Sequence, residues 1–349
     1  MSAKKLIPYI LLLLLLSSCA PVTPAGPQQL TVMTHDSFAI SEDVLADFEK
    51  DNNATVQFLK AGDTGMALNK AILSKNNPLA DVFYGVDNTF LSRALDEGIF
   101  ETYASPALAD IPAEFKLDAQ NRALPVDFGD VCLNYDKAYF ADIGLAPPQS
   151  LEDLIKPEYK GLLVVQNPAT SSPGLAFLLA TIGHFGLDKY LDYWQGLVAN
   201  DVQVVNDWET AYYTEFSGSS GKGPRPIVVS YDSSPAFEVI YASPPVSQPP
   251  TAAVTGDETC FRQVELVGIL KGTKHRDLAQ KWVDFMLSPR FQEDMPLQMF
   301  VFPVNPKAAL DPAFQQHLTL PAKTAQVSPQ DIAANREAWI KAWTETVLR

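Results

Sequence analysis

Three cysteines and four histidines in 349 residues leave little material for a structural metal site, and no Cys-x-x-Cys occurs. The sequence also lacks a Gly-x-Ser-x-Gly elbow, a Walker-type phosphate loop and a His-Glu-x-x-His pair. His35-Asp36-Ser37 has the letters of a hydrolase triad, but adjacent residues at a strand end cannot converge on one another. No positive sign of catalysis is left, and we expect neither an enzyme nor a cofactor. Basic residues are scarce, 26 against 41 acidic ones, which disfavours nucleic acid and anionic lipid as partners. No apolar run beyond the first thirty residues approaches membrane length, and no internal repeat is visible.

What is present begins at the N-terminus. Lys4 and Lys5 precede an apolar run from Leu6 to Leu16, which is too short to span a bilayer and fits a secretory signal. Leu16-Ser17-Ser18-Cys19 resembles the bacterial lipobox. The expectation is cleavage of residues 1–18, a lipid on Cys19, and an extracytoplasmic protein held at a membrane by that lipid. Residues 19–29 carry Pro21, Pro24, Gly26 and Pro27 and read as a semi-extended tether. Losing two lysines to cleavage leaves a formal charge of −17. Such a surface suits solubility and leaves room for a cationic ligand. Cys132 and Cys260 remain, an even pair in an oxidising compartment and hence a disulfide candidate. Two separate buried thiols are the alternative.

With 47% hydrophobic and 19% charged residues, the rest reads as a packed globular protein, long enough for two lobes. Strand patterns at Leu30–Thr34, Thr55–Leu59 and Asp81–Tyr84 alternate with helical spacing at Val44–Phe48, Asp63–Ile72 and Thr89–Glu97, closed by Gly98. This is the grammar of a mostly parallel α/β sheet. Further strands are expected at Val131–Tyr135, Gly161–Val165, Ile227–Tyr231 and Phe261–Leu270. Helices are expected from Ser171 to His184, Leu187 to Ala199, near Trp208, and at Asp277–Met286, Pro289–Asp294 and Ser328–Thr346. The order suggests one lobe from residues 30–126 and 266–349, and a second, 127–265, inserted in it. The ligand would lie in the cleft between them, outside the strand ends.

Several segments together resemble the thiamine-binding proteins of bacterial ABC importers. They are Thr31–Phe38, Ala80–Asn88, Pro125–Gly129, Pro168–Leu175, Ser230–Ala236, Phe285–Pro289 and Ile332–Trp339. The resemblance implies an α/β, two-lobed type II periplasmic binding-protein fold. It implies a monomeric receptor that passes thiamine or a thiamine phosphate to a membrane permease. Ferric-ion or other small-solute binding on the same fold is the rival reading, with Tyr212-Tyr213 as its phenolate pair. Thiamine is a flat cation, so its site calls for aromatic faces, a carboxylate and hydroxyl or N–H donors. The resemblance places His35, Asp36, Ser37, Asp63, Thr64, Ser171, Ser172, Trp208, Tyr231, Phe237 and Phe300 there. His35 stands where that family usually shows tyrosine, so ring contact there would be weaker or pH-dependent. Ser171 and Ser172 open a helix whose first N–H groups favour an anion. Asp127, polar among apolar residues near the lobe junction, reads either as a hinge hydrogen-bonder or as a ligand group.

Overall fold

The computed structural model describes residues 26–219 and 222–349. The expected cleavage site, the lipidated Cys19 and most of the tether lie outside these residues. Among the described residues no helix is long and apolar enough to cross a membrane.

The first unit follows the expected alternation. β1 (Gln28–Thr34), α1 (Glu42–Asn52), β2 (Ala54–Lys60), α2 (Thr64–Leu73), β3 (Val82–Asp87) and α3 (Leu91–Asp96) succeed one another. β1 pairs with both β2 and β3 in parallel. Gly98 follows α3 at φ +64°, a left-handed position where glycine bears no Cβ penalty.

The chain then enters β4 (Leu124–Asp136), which at 13 residues is much longer than the expected Val131–Tyr135. After α4 (Lys137–Ile143) a second parallel unit forms from β5 (Leu163–Gln166), α5 (Ser172–Phe185), α6 (Tyr190–Ala199), β6 (Gln203–Val205) and β7 (Ile227–Tyr231). A π-helix, Thr210–Glu215, follows Trp208. Then come α7 (Ser234–Ile240), β8 (Thr251–Val254), β9 (Phe261–Ile269), α8 (Arg276–Met286), α9 (Pro289–Gln292), α10 (Met295–Gln298), β10 (Phe302–Pro303), α11 (Pro312–Gln316) and α12 (Pro329–Val347).

All strands belong to one sheet, in the order β2-β1-β3-β9-β4-β7-β5-β6, with β8 and β10 against β4. The sheet is more mixed than a mostly parallel expectation allows. β9 runs antiparallel to β3 and β4, and β4 antiparallel to β7. Both long strands cross between the two parallel units. Register shifts occur at Gly85 on β3, facing Leu266–Val267 of β9, and at Val126 on β4, facing Glu265–Leu266. Such bulges bend a strand and re-aim its side chains.

Two large cores hold the layers together. One face of the first unit packs Val32, Tyr84 and Val267 against α1 and α8, with Trp282 fully buried among them. The second core joins Phe83 and Phe100 to Phe177, Trp194 and Trp343, so α12 closes over both units. Cys132 and Cys260 form a disulfide with Cα atoms 4.4 Å apart, joining β4 to the residue before β9. The alternative of separate thiols is thereby excluded.

Candidate functional site

A cavity of about 370 Å³ opens where the loops of the two units face each other. The first unit contributes His35, Ser37 and Ala39 after β1 and Asp63 and Thr64 at the start of α2, and the crossing strand β9 contributes Glu265. The second contributes Ser172 and Pro173 at the start of α5, Trp208, Glu209 and Tyr213 around the π-helix, and Tyr231, Phe237 and Tyr241. Leu297 to Val301 complete the lining.

Nine of the eleven residues expected at the site are on this wall. Asp36 and Ser171 are not. The Asp36 carboxylate turns back to accept the Gly62 N–H at 2.8 Å, bracing the loop after β1 against the one before α2. Ser171 precedes α5 and is fully buried, just behind the wall residue Ser172. Asp127 is also fully buried and off the wall, bonded to Tyr84 across β3 and β4.

The polar side of the cavity is a chain of hydroxyls that crosses from one unit to the other. Tyr231 donates to Gln263 Oε1 (3.1 Å), and Gln263 Nε2 donates to Ser172 Oγ (3.0 Å). Ser172 donates to Thr64 Oγ1 (3.2 Å), and Thr64 donates to the Gly85 carbonyl (3.0 Å). Asp63 caps α2 through the Thr64 N–H at 2.6 Å and accepts the Trp208 N–H at 3.1 Å. Burial pushes its carboxyl up to about 6, opposed by the Ser171 hydroxyl and then by these N–H groups.

The apolar side is aromatic. Trp208 stacks on Tyr212 with centroids 4.9 Å apart and planes 14° apart, and its Nε1 donates to Ser230. Tyr213 meets Trp208 edge-on. The Phe237 and Phe300 rings lie in contact at 3.5 Å, with Phe300 held at a left-handed φ of +59°.

His35 sits 5.7 Å from the Tyr84 ring, and its Nδ1 is 2.9 Å from Ser37 Oγ. Gly85, at φ +108°, makes room for it: a Cβ there would lie 2.5 Å from His35 Cδ2. Burial lowers the ring to about 4, so His35 is neutral near pH 7 and adds no positive charge. A pH-dependent contact at this residue therefore belongs to acid conditions. No Lys or Arg lines the cavity among the described residues. Its three acids are Asp63, Glu209 and Glu265.

Sequence reasoning missed Glu265, Tyr213, Glu209, Tyr241, Leu297, Gln298, Met299 and Val301. Glu265 had a signal, since it interrupts the apolar run Val264–Leu270 in a strand otherwise fit for the core. The Tyr212-Tyr213 pair does not converge: the rings are 87° apart, and the Tyr212 hydroxyl donates to Glu238. Among the described residues no group of three or more His, Cys, Asp or Glu could hold a metal ion.

Comparison with known proteins bears on this site. Residues 77–334 match the family model described as bacterial extracellular solute-binding protein. The thiamine-binding periplasmic protein of Salmonella typhimurium is 33% identical over 351 aligned positions, covering 99% of each chain. A solved periplasmic thiamin-binding protein superposes with a TM-score of 0.81 at 32% identity, over 94% of this chain and 99% of its own. A second periplasmic binding protein, 21% identical, superposes at 0.77 over 92% and 99% and shares the fold. That fold is the type II periplasmic binding-protein fold.

Proposed function

The chain belongs to the bacterial extracellular solute-binding proteins, and on that premise we propose that it is a thiamine receptor of an ABC importer. The observation that carries this reading is the lining of the cavity. Trp208, Tyr213, Tyr231, Phe237, Tyr241 and Phe300 give aromatic faces, while the acids Asp63, Glu209 and Glu265 meet no lining Lys or Arg. A flat organic cation matches both properties at once, through stacking and cation–π attraction on one side and carboxylates on the other. The relatives' thiamine binding supports the same choice. Ser172 and Thr64, at the starts of α5 and α2, are placed to meet the ligand's hydroxyl or the phosphate of an ester.

In this reading residues 30–126 with 266–349, and 127–265, are lobes that close on the ligand about β4 and β9. The closed form then docks on a membrane permease, and the receptor turns nothing over. Cleavage before Cys19 and its acylation would keep the monomeric receptor near that permease; Cys19→Ser should release it from the membrane fraction.

The direct test is mass spectrometry of small molecules released from the purified protein, followed by tryptophan-fluorescence titration with thiamine and its mono- and diphosphate. Thiamine or an ester should be released, and quenching should saturate at micromolar ligand or below. Saturable binding of ferric ion, without thiamine binding, would overturn the reading.

A further inference from the structure

Glu265 and Asp127 share one hydroxyl. Tyr84 Oη lies 2.6 Å from Asp127 Oδ2 and 3.0 Å from Glu265 Oε2, and all three residues are buried. A phenol has one hydrogen and can donate it to one carboxylate only. The second contact requires a hydrogen on the other carboxyl, donated to the phenol oxygen. The pair therefore holds a proton of its own.

The surroundings offer no substitute charge. β3 brings Asp87 beside Glu265 and β4 brings Asp127, the two register partners of this residue. From the loop after β1, His35 Nε2 approaches Glu265 Oε1 at 3.6 Å, but that ring is neutral. From β7, Tyr231 presents a buried phenol whose hydroxyl goes to Gln263. Arg262, the adjacent cation in sequence, is committed to Asp130. Burial, with Asp127 and Asp87 nearby, raises the Glu265 carboxyl well above its ordinary range. Of the pair only Glu265 reaches the cavity wall.

We infer that Glu265 reads the positive charge of the ligand, which enters as a cation while the proton shared with Asp127 leaves to solvent. This rests on the functional reading above and names the residue that makes the site select a cation. Net charge in the buried cluster is then unchanged on binding, so the carboxylate is never left buried and uncompensated.

Calorimetric titration of the wild-type protein with thiamine, at about pH 6.5 in buffers of different ionisation heat, tests the exchange without any variant. Release of roughly one proton per thiamine is expected, with affinity rising as pH rises. Thiamine binding with no proton released would overturn the inference while leaving the functional reading intact. Selectivity is tested with a neutral thiophene analogue of thiamine. Wild type should prefer thiamine, and Glu265→Gln should lose about tenfold or more of that preference together with the proton release. Because the preference compares two ligands of one shape, a general loss of packing in the variant would weaken both alike and leave the preference unchanged. Full preference in a folded Glu265→Gln protein would overturn the inference. If wild type binds no thiamine at all, the functional reading falls, and this inference with it.

Discussion

Asp63 Oδ2 accepts the main-chain N–H of Trp208 at 3.1 Å, although 145 positions separate the two residues. One carboxylate thus caps α2 in the first unit and fixes the segment that presents the indole in the second. Asp63→Ala would strand two buried N–H groups, and unfolding in urea should show a loss of about 2 kcal/mol or more. Asp63→Asn keeps an acceptor and should lose less.

Tyr231 joins the aromatic wall to the hydroxyl chain. Gly129 packs closely on its ring, since a Cβ there would lie 2.9 Å from Cδ1, so the ring has little freedom to reorient. Tyr231→Ala should weaken thiamine binding tenfold or more by calorimetry, about 1.4 kcal/mol. Tyr231→Phe, which keeps the ring and loses the bond to Gln263, should be affected less. An unchanged affinity in the alanine variant would remove Tyr231 from the site.

Gly85→Ala combines a left-handed backbone with a clash against His35. A loss of about 1–3 kcal/mol is expected in chemical denaturation, from the strained φ alone. Thiamine binding should weaken as well, because the displaced ring lies on the cavity wall.

The disulfide closes a loop of 128 residues. The chain-entropy relation gives about 4–5 kcal/mol for a loop of this size. The double variant Cys132→Ser, Cys260→Ser should therefore melt well below wild type in scanning calorimetry. Its thiamine affinity, measured below the melt, should change little, since neither cysteine lines the cavity.

Stability of the ligand-free protein should fall as pH rises from about 5 to 8. Burial raises Asp63 to about 6 and both Asp87 and Asp127 to about 7. Each holds a proton that the unfolded chain has already released, so its stabilising contribution is present below about pH 4 and lost as pH passes its folded value. His35, lowered to about 4, acts in the opposite direction between about pH 4 and 6.5. One histidine against three aspartates leaves the acids in control. A melting temperature that rises over this interval would contradict the assignment.

Local chemistry was legible in the sequence. The alternation at Leu30–Thr34 and Thr55–Leu59, the glycine after α3 and the Ser-Pro-Gly start of α5 depend on near neighbours, and the elements formed where those patterns lie. The cavity-wall residues at strand ends and helix starts were legible for the same reason: such positions face the loops in an open α/β sheet. Asp36 and Ser171 lie off the wall, and for Asp36 the reason is its bond to the Gly62 N–H, a partner that composition does not reveal.

What the sequence determined by itself was most of the elements, many of the aromatic and polar residues of the cavity wall, and the pairing capacity of two cysteines. Only the tertiary structure decided that β4 and β9 run antiparallel through the middle of the sheet. It also decided that bulges on both sides of β9 bring Glu265 beside Asp127 and Tyr84. A buried carboxyl is costly, and whether it is a defect or a site depends on groups that are distant in the chain and meet only when the strands pair. Glu265 stands 138 positions from Asp127 and 181 from Tyr84, beyond the reach of any local pattern.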